Sequence, residues 1–163
     1  MRRQAAAVAL QILDRSKVGM VKELLKDLPK DYPNAAEWLD RRLDDNLNGQ
    51  GECWVATYEA RVVGVSILTP KISSLKLSTL YVCSKYRGYG LGKMLMRRAI
   101  KSANSSGFDE VYLTVAEHTI PIVLPLLNSC GFTNIALERH RYGRGRHEGI
   151  FSRLEMLERQ GIF

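Results

Sequence analysis

The sequence has few cysteines, and their number and spacing exclude two classes of small protein. Cys53, Cys83 and Cys130 are odd in number and far apart, so they predict neither a disulfide framework nor the paired ligand spacing of a zinc site. We therefore expect buried, reduced thiols in a protein of the cytoplasm that holds no metal.

Long hydrophobic runs are absent as well. No run approaches the roughly 20 apolar residues that cross a bilayer as a helix. The apolar stretch at residues 5–10, which follows Met1-Arg2-Arg3-Gln4, is too short for a secretory signal and has no clear cleavage site. The sequence thus predicts a cytoplasmic protein that does not associate with membranes.

Repeats, linkers and low-complexity tracts are missing too, and 163 residues match the length of one domain. We predict a single domain over residues 1–163, with elements in the order β-α-α-β-β-β-α-β-α-β-β. The predicted strands are residues 7–13, 53–58, 61–68, 76–82, 110–116, 133–137 and 148–157, with a hairpin turn at Glu59-Ala60. The predicted helices are residues 18–28, begun by Ser16 and ended by Pro29, 34–47 with Asn34 as N-cap, 93–106 and 120–130.

What the sequence does contain is a glycine-rich turn, from Arg87 to Lys93, between a predicted strand and a predicted helix. Gly88, Gly90 and Gly92 occupy alternate positions, which lets the chain turn tightly and leaves its main chain accessible to a ligand. Amides at the start of a helix lack partners and favour an anion, and the two flanking cations add positive charge. The turn therefore predicts a site for a phosphate-bearing cofactor; the alternative is a plain surface turn.

Two common phosphate-binding motifs do not fit this turn. Its Gly-x-Gly-x-Gly pattern is one residue short of the dinucleotide-binding Gly-x-Gly-x-x-Gly, and it lacks the Gly-Lys-Ser/Thr of a nucleotide-triphosphate loop. The turn also lies in mid-chain, whereas a dinucleotide fold usually carries it on the first βα unit. We therefore expect neither a dinucleotide nor a nucleotide triphosphate.

Read as Arg87-x-x-Gly90-x-Gly92, the turn resembles the pyrophosphate loop of the GNAT superfamily of N-acetyltransferases. Leu80-Tyr81-Val82 before the turn is similar to the family's Leu-Tyr-Val strand. Cys130-Gly131-Phe132 is similar to the family's Gly-Phe pair and lies at the end of the second predicted helix after the turn. The resemblance covers roughly residues 50–157, and its motifs follow one another in a consistent order.

This resemblance implies an α/β (α+β) fold whose mixed, twisted sheet of about seven strands is flanked by about four helices and split between strands 4 and 5. It also implies an N-acetyltransferase that moves an acetyl group from acetyl-CoA, bound in the split, to a primary amine by direct attack. The main chain of Leu80, Tyr81 and Val82 would hold the pantetheine arm of coenzyme A. The pyrophosphate would lie against the loop formed by Arg87, Gly88, Tyr89, Gly90, Leu91, Gly92 and Lys93.

The sequence departs from the family at the residue that protonates the leaving thiolate. The family's tyrosine position is Leu127 here, and a leucine cannot donate a proton. Tyr142 is the first substitute, with Ser129 and Tyr81 behind it, because a hydroxyl can serve as a donor. Departure of the thiolate without an acid is the alternative.

A base that removes a proton from the acceptor amine has two candidates. Glu117 and His118 follow the fifth predicted strand, beside the implied split, and histidine in particular transfers protons near neutral pH. A water relay is equally compatible with the sequence.

The distribution of positive charge indicates what kind of acceptor the protein could bind. The formal net charge is +7, and four arginines crowd residues 139–147: Arg139, Arg141, Arg144 and Arg146. Such a loop can hold phosphate or carboxylate groups and stack on a base. Three hypotheses follow, namely a small or peptide amine, which we favour, an RNA-linked amine, and a non-catalytic module that binds coenzyme A or nucleic acid. The chain contains no nucleic-acid-binding motif, and we expect a monomer or homodimer.

Overall fold

The computed structural model describes residues 8–27, 32–139 and 146–154. In this part of the chain there are seven strands: β1 Ala9–Ile12, β2 Glu52–Tyr58, β3 Arg61–Pro70, β4 Ser74–Val82, β5 Glu110–Ala116, β6 Thr133–Glu138 and β7 Glu148–Leu154. It also holds four α-helices: α1 Val18–Leu24, α2 Ala35–Leu47, α3 Leu91–Ser106 and α4 Ile120–Ser129. Single 3₁₀ turns occupy Arg15–Lys17, Ser84–Tyr86 and Glu117–Thr119. The predicted order of strands and helices is confirmed.

The seven strands form one mixed sheet in the order β1-β2-β3-β4-β5-β7-β6. β2 pairs antiparallel with β1 and β3, and β7 pairs antiparallel with β5 and β6. β4 and β5 are parallel, and among the described residues their ladder joins Ser74, Leu75 and Lys76 to Glu110, Val111 and Tyr112. Both strands continue beyond this short ladder.

The first helix begins at Val18, as predicted, but its capping residue and its end differ from the prediction. The chain enters α1 through the 3₁₀ turn Arg15–Lys17. This turn is capped by Asp14, whose carboxylate accepts a hydrogen bond of 2.9 Å from the Ser16 amide. Ser16 is therefore not the cap. α1 ends at Leu24, where the chain tightens into a turn in which the Lys26 amide donates to the Glu23 carbonyl at 3.4 Å. Residues 28 and 29, the predicted end, lie outside the described residues, as do residues 155–157 of the last predicted strand.

Left-handed backbone marks two other predicted boundaries. Asn34 precedes α2 as predicted, with φ of 59°, but its carbonyl rather than its side chain serves the helix by accepting from the Trp38 amide at 3.0 Å. Glu59 and Ala60, with φ of 48° and 63°, form the predicted hairpin turn between β2 and β3. Two positive φ values are what a two-residue turn needs to match the twist of its strands.

The structure divides into two compact units, of which the first comprises residues up to 68 together with 79–95. Its main core lies where α1 and α2 pack on β2 and β3, and it contains Leu13, Val21, Leu25, Leu39, Leu43, Cys53, Val55, Val62, Val65 and Ile67. Burial raises the pKa of the Cys53 thiol to about 12, because a thiolate would lose its hydration there. This thiol is therefore protonated at neutral pH.

The second unit comprises residues 69–78 and 96 onward. Val111, Leu113 and Val115 of β5 are buried, and so is Phe151 of β7. α4 packs against this face, because a Cβ on Gly149 of β7 would lie 2.8 Å from the Ile120 side chain. The single domain over residues 1–163 stays a prediction. Of the described helices, none has both the length and the apolar character that crossing a membrane demands.

Candidate functional site

The glycine-rich turn lies in the first unit. Main-chain hydrogen bonds and an aromatic contact hold the segment that leads into it. The Cys83 amide donates to the Val63 carbonyl of β3 at 2.8 Å, and the Tyr86 amide donates to the Cys83 carbonyl at 2.8 Å. The Tyr86 ring also lies against the Tyr58 ring, with centroids 5.6 Å apart. The segment that leads from β4 into the turn therefore has a fixed position before the first glycine.

Two of the three glycines make the turn. Gly88 and Gly90 both have φ of 84°, a conformation that residues with a side chain rarely adopt. A Cβ placed on either would have no neighbouring heavy atom within 4 Å, so the space beside both glycines is open. Gly92 belongs to the first turn of α3 and is not among the residues with positive φ. The prediction of three turn-forming glycines is thus wrong for Gly92.

The start of α3 presents main-chain donors next to this turn. The helical hydrogen bonds begin with the Met94 amide, which donates to the Gly90 carbonyl at 3.0 Å. The amides of Leu91, Gly92 and Lys93 precede it, where a helix offers no carbonyl partner and its dipole is positive. Leu91 is buried and anchors the helix end. The arrangement fits an anion such as a phosphate.

Arg87 lies back along β4. Its Nε donates to the Val82 carbonyl at 3.0 Å, and its guanidinium carbon lies 5.4 Å from the centroid of the Tyr81 ring. Tyr81 in turn packs against the main core of the first unit. All ten predicted cofactor-binding residues, from Leu80 to Lys93, thus lie on β4, the turn and the start of α3.

The predicted bases lie in the second unit, on the 3₁₀ turn Glu117–Thr119 that follows β5. Glu117 and His118 are both exposed to solvent. The Glu117 amide donates to the His147 carbonyl at 3.0 Å, which ties this turn to the residue before β7. This main-chain contact holds the turn that carries both side chains next to the start of β7.

The predicted acids differ in what the structure says of them. The Ser129 hydroxyl, at the end of α4, donates to the Leu126 carbonyl at 2.8 Å, so its proton is engaged with the main chain. Leu127, at the family's tyrosine position, is 1% exposed and belongs to the core. Tyr142 lies outside the described residues, as do Arg141 and Arg144 of the arginine loop.

One buried acidic residue was not predicted. Glu148, the first residue of β7, is 3% exposed and is paired in register with Ala116 of β5 and with Glu138 of β6. β7 is buried on both faces, at Glu148, Gly149, Phe151 and Ser152, so no alternation along the strand marks Glu148 as a buried residue. Among residues 8–27, 32–139 and 146–154, no group of three or more His, Cys, Asp and Glu could hold a metal ion.

Comparison with known proteins connects the fold to a family. Residues 18–132 match the acetyltransferase (GNAT) family. The human protein N-acetyltransferase 8 is 34% identical over 94 residues, which are 53% of this chain and 40% of that protein. The chain thus spans about two fifths of this curated relative.

Solved structures extend the likeness over nearly the whole chain. A GNAT family acetyltransferase from Elizabethkingia anophelis with acetyl-CoA bound has a TM-score of 0.72 at 14% identity, covering 91% of this chain and 98% of that one. Arabidopsis thaliana NAA60 in complex with a bisubstrate analogue has a TM-score of 0.75 at 18% identity, covering 90% and 97%. At such low identities the likeness concerns the fold.

Proposed function

Because the chain belongs to the acetyltransferase (GNAT) family, we propose that it transfers the acetyl group of acetyl-CoA to a primary amine by direct attack of that amine. The observation that carries the proposal is the turn between β4 and α3, which combines two left-handed glycines with the amides of a helix start. The family match includes this turn and the strands on both sides of it. The name of the human relative, an N-acetyltransferase, supports an amine as the acceptor.

The residues of the turn fit the phosphate part of the cofactor. A pyrophosphate needs several donors close together and no side chain in the way, and the open side of Gly88 and Gly90 meets the second condition. The amides of residues 88–93 would supply the donors, and Lys93 would add charge at short range. The main chain of Leu80, Tyr81 and Val82 would hold the pantetheine arm. The Elizabethkingia relative was crystallised with acetyl-CoA, which supports this choice of cofactor.

The side chains would manage the protons of the reaction. Acetyl-CoA supplies a thioester, whose carbonyl carbon the amine attacks while the bond to sulfur breaks. The amine must first lose a proton, and we assign this step to Glu117 or His118, whose exposure lets them pass the proton to water. We assign protonation of the leaving thiolate to Tyr142. Ser129 ranks below Tyr142 because its proton is engaged with the Leu126 carbonyl.

The acceptor we propose is a small amine or the amine of a peptide. An amine that carries anionic groups nearby would suit the arginines at residues 139–147 and the net charge of +7. The same charge keeps an RNA-linked amine, or a non-catalytic module that binds coenzyme A or nucleic acid, as the alternatives. Salt separates them, because binding through several phosphates weakens steeply as salt rises, whereas binding of a small amine changes far less.

Calorimetric titration with acetyl-CoA, with NAD and ATP as controls, tests the proposal. We expect saturable binding of acetyl-CoA in the micromolar range, typical of enzyme substrates, and none of NAD. An amine screen read by release of free coenzyme A would then identify the acceptor. A folded protein that binds no acetyl-CoA would contradict the assignment of the turn. Binding without transfer to any amine would leave the non-catalytic module in its place.

A further inference from the structure

The side chain of Arg87 contacts two residues at the end of β4, Tyr81 and Val82. Its Nε donates to the carbonyl of Val82, the last residue of that strand, at 3.0 Å. Its guanidinium lies over the ring of Tyr81, one residue earlier, at 5.4 Å. The backbone of Arg87 is extended, with φ of −72° and ψ of 150°, so no strain is needed to bring the side chain back to the strand.

This contact closes a short ring that fixes the entrance of the turn. The chain leaves β4 at Val82, passes through the 3₁₀ turn Ser84–Tyr86, and returns to Val82 through the Arg87 side chain. Gly88 follows directly and has the left-handed φ of 84° that aims the next amides. Since glycine loses more conformational freedom on ordering than any other residue, a restraint beside Gly88 limits the freedom of the amides that follow it.

We propose that Arg87 is a positioning residue, which acts on the cofactor by holding the turn against β4 and not chiefly by attracting phosphate. The proposal rests on the proposed function, since it concerns the same turn. It assigns the essential feature to the Nε–H donor and makes the positive charge secondary. A purely electrostatic role would make the opposite assignment, and the two can therefore be separated by substitution.

Glutamine and lysine divide the properties of arginine between them. The side-chain amide nitrogen of glutamine is separated from Cα by the same number of bonds as Nε of arginine, so Arg87→Gln keeps a donor for the Val82 carbonyl and loses the charge. Arg87→Lys keeps the charge and has a methylene group at that place. Arg87→Met removes both. Lys85→Gln, an exposed lysine on the preceding turn, controls for the loss of one positive charge nearby.

The first measurement is the affinity of each variant for acetyl-CoA by calorimetry. We expect Arg87→Gln to stay within about fivefold of the wild type, the loss reflecting the missing cation–π contact. Arg87→Lys and Arg87→Met should bind about tenfold or more weakly, as expected when a hydrogen bond from a charged group is lost at an exposed site. Lys85→Gln should bind as the wild type does. Wild-type affinity in Arg87→Lys, together with a loss in Arg87→Gln equal to that in Arg87→Met, would overturn the proposal.

The second measurement is amide hydrogen exchange of residues 88–93 in the protein without ligand. We expect these amides to exchange faster in Arg87→Lys and Arg87→Met than in the wild type, and at near wild-type rates in Arg87→Gln. Equal rates in all variants would overturn the proposal. Because this measurement needs no cofactor, it tests Arg87 even if the wild type fails to bind acetyl-CoA, an outcome that would contradict the proposed function alone.

Discussion

The two regions to which we assign a function differ in the groups they offer, which are main-chain groups in one region and side chains in the other. In the turn before α3, the proposed cofactor site consists of main-chain amides beside two left-handed glycines, and side chains would contribute charge and support. In the 3₁₀ turn after β5, the candidate groups are the side chains of Glu117 and His118. A main-chain site depends on a backbone shape that glycine requires, whereas a side-chain site depends on which residues meet in space. The first leaves a pattern in the sequence, and the second leaves single residues of ordinary kinds.

The largest effect should come from placing a side chain in the turn. Gly90→Asp sets a carboxylate on the open side of the turn, where it would repel the pyrophosphate, and we expect the affinity for acetyl-CoA to fall at least about 100-fold. Gly49→Asp is the matched control, because Gly49 also has φ of 84° and open space around a Cβ, but lies in the turn after α2. Both variants carry equal backbone strain. Unchanged affinity in Gly90→Asp would break the main-chain assignment.

A smaller effect, on rate rather than binding, is expected from the side-chain candidates. Tyr142→Phe removes the proposed acid and Glu117→Gln one of the two proposed bases, and we expect each to lower kcat by about 10- to 100-fold. The calorimetric affinity for acetyl-CoA should stay at the wild-type value in both, since the cofactor is assigned to residues of the turn and β4. His118→Gln would show the same loss if histidine and not Glu117 is the base.

Glu59→Gln, an exposed glutamate of the β2–β3 turn, is the control for the loss of a carboxylate and should keep full activity. A wild-type kcat in Tyr142→Phe would remove that tyrosine as the acid. A wild-type kcat in both Glu117→Gln and His118→Gln would favour the water relay. A fall in the affinity for acetyl-CoA in any of these variants would instead show that the substituted residue also supports cofactor binding.

Much of the fold was predictable because single patterns determine it. The bounds of β5 were predicted to the residue, since its side chains alternate between buried and half-buried along the whole strand. The end of α1 was not predictable, because the apolar spacing continues through Leu25, which is buried beyond the helix. The cap at Asp14 was missed because Asp14 and Ser16 are both good caps, and only the folded chain shows that one donates to the other.

The part of the candidate site that depends on backbone conformation was predictable from the sequence, and the part that depends on contacts between side chains and distant residues was not. Gly88 and Gly90 could be identified because left-handed turns favour glycine. The contact of Arg87 with Val82 could not, since a long side chain can lie toward the ligand or toward the strand with equal sequence support. The burial of Glu148 depends on its neighbours in β5 and β6, and pairing partners far apart in sequence leave no local signal.

The smallest effect tests how closely the support of the turn is packed. Gly64 of β3 lies beneath the start of α3, where an added Cβ would come 3.2 Å from Leu95 Cδ1 and 3.5 Å from the Tyr81 carbonyl oxygen. Leu95 is fully buried and has little room to move, so Gly64→Ala should lower the free energy of unfolding by about 1 kcal/mol through overpacking. Because the methyl presses on Leu95 of α3, while its contact with the Tyr81 carbonyl is an ordinary one, it should also weaken acetyl-CoA binding a few-fold by shifting the start of that helix.

Gly19→Ala is the matched variant, because Gly19 lies in α1 with no heavy atom within 4 Å of an added Cβ. Alanine is the better helix former, so this change should raise the free energy of unfolding by about 0.5–1 kcal/mol and leave acetyl-CoA binding unchanged. Urea denaturation and calorimetry measure both quantities. If Gly64→Ala stabilised the protein as Gly19→Ala does and bound acetyl-CoA normally, the start of α3 would tolerate displacement. The main-chain site would then depend on the glycines of the turn itself and not on the packing beneath them.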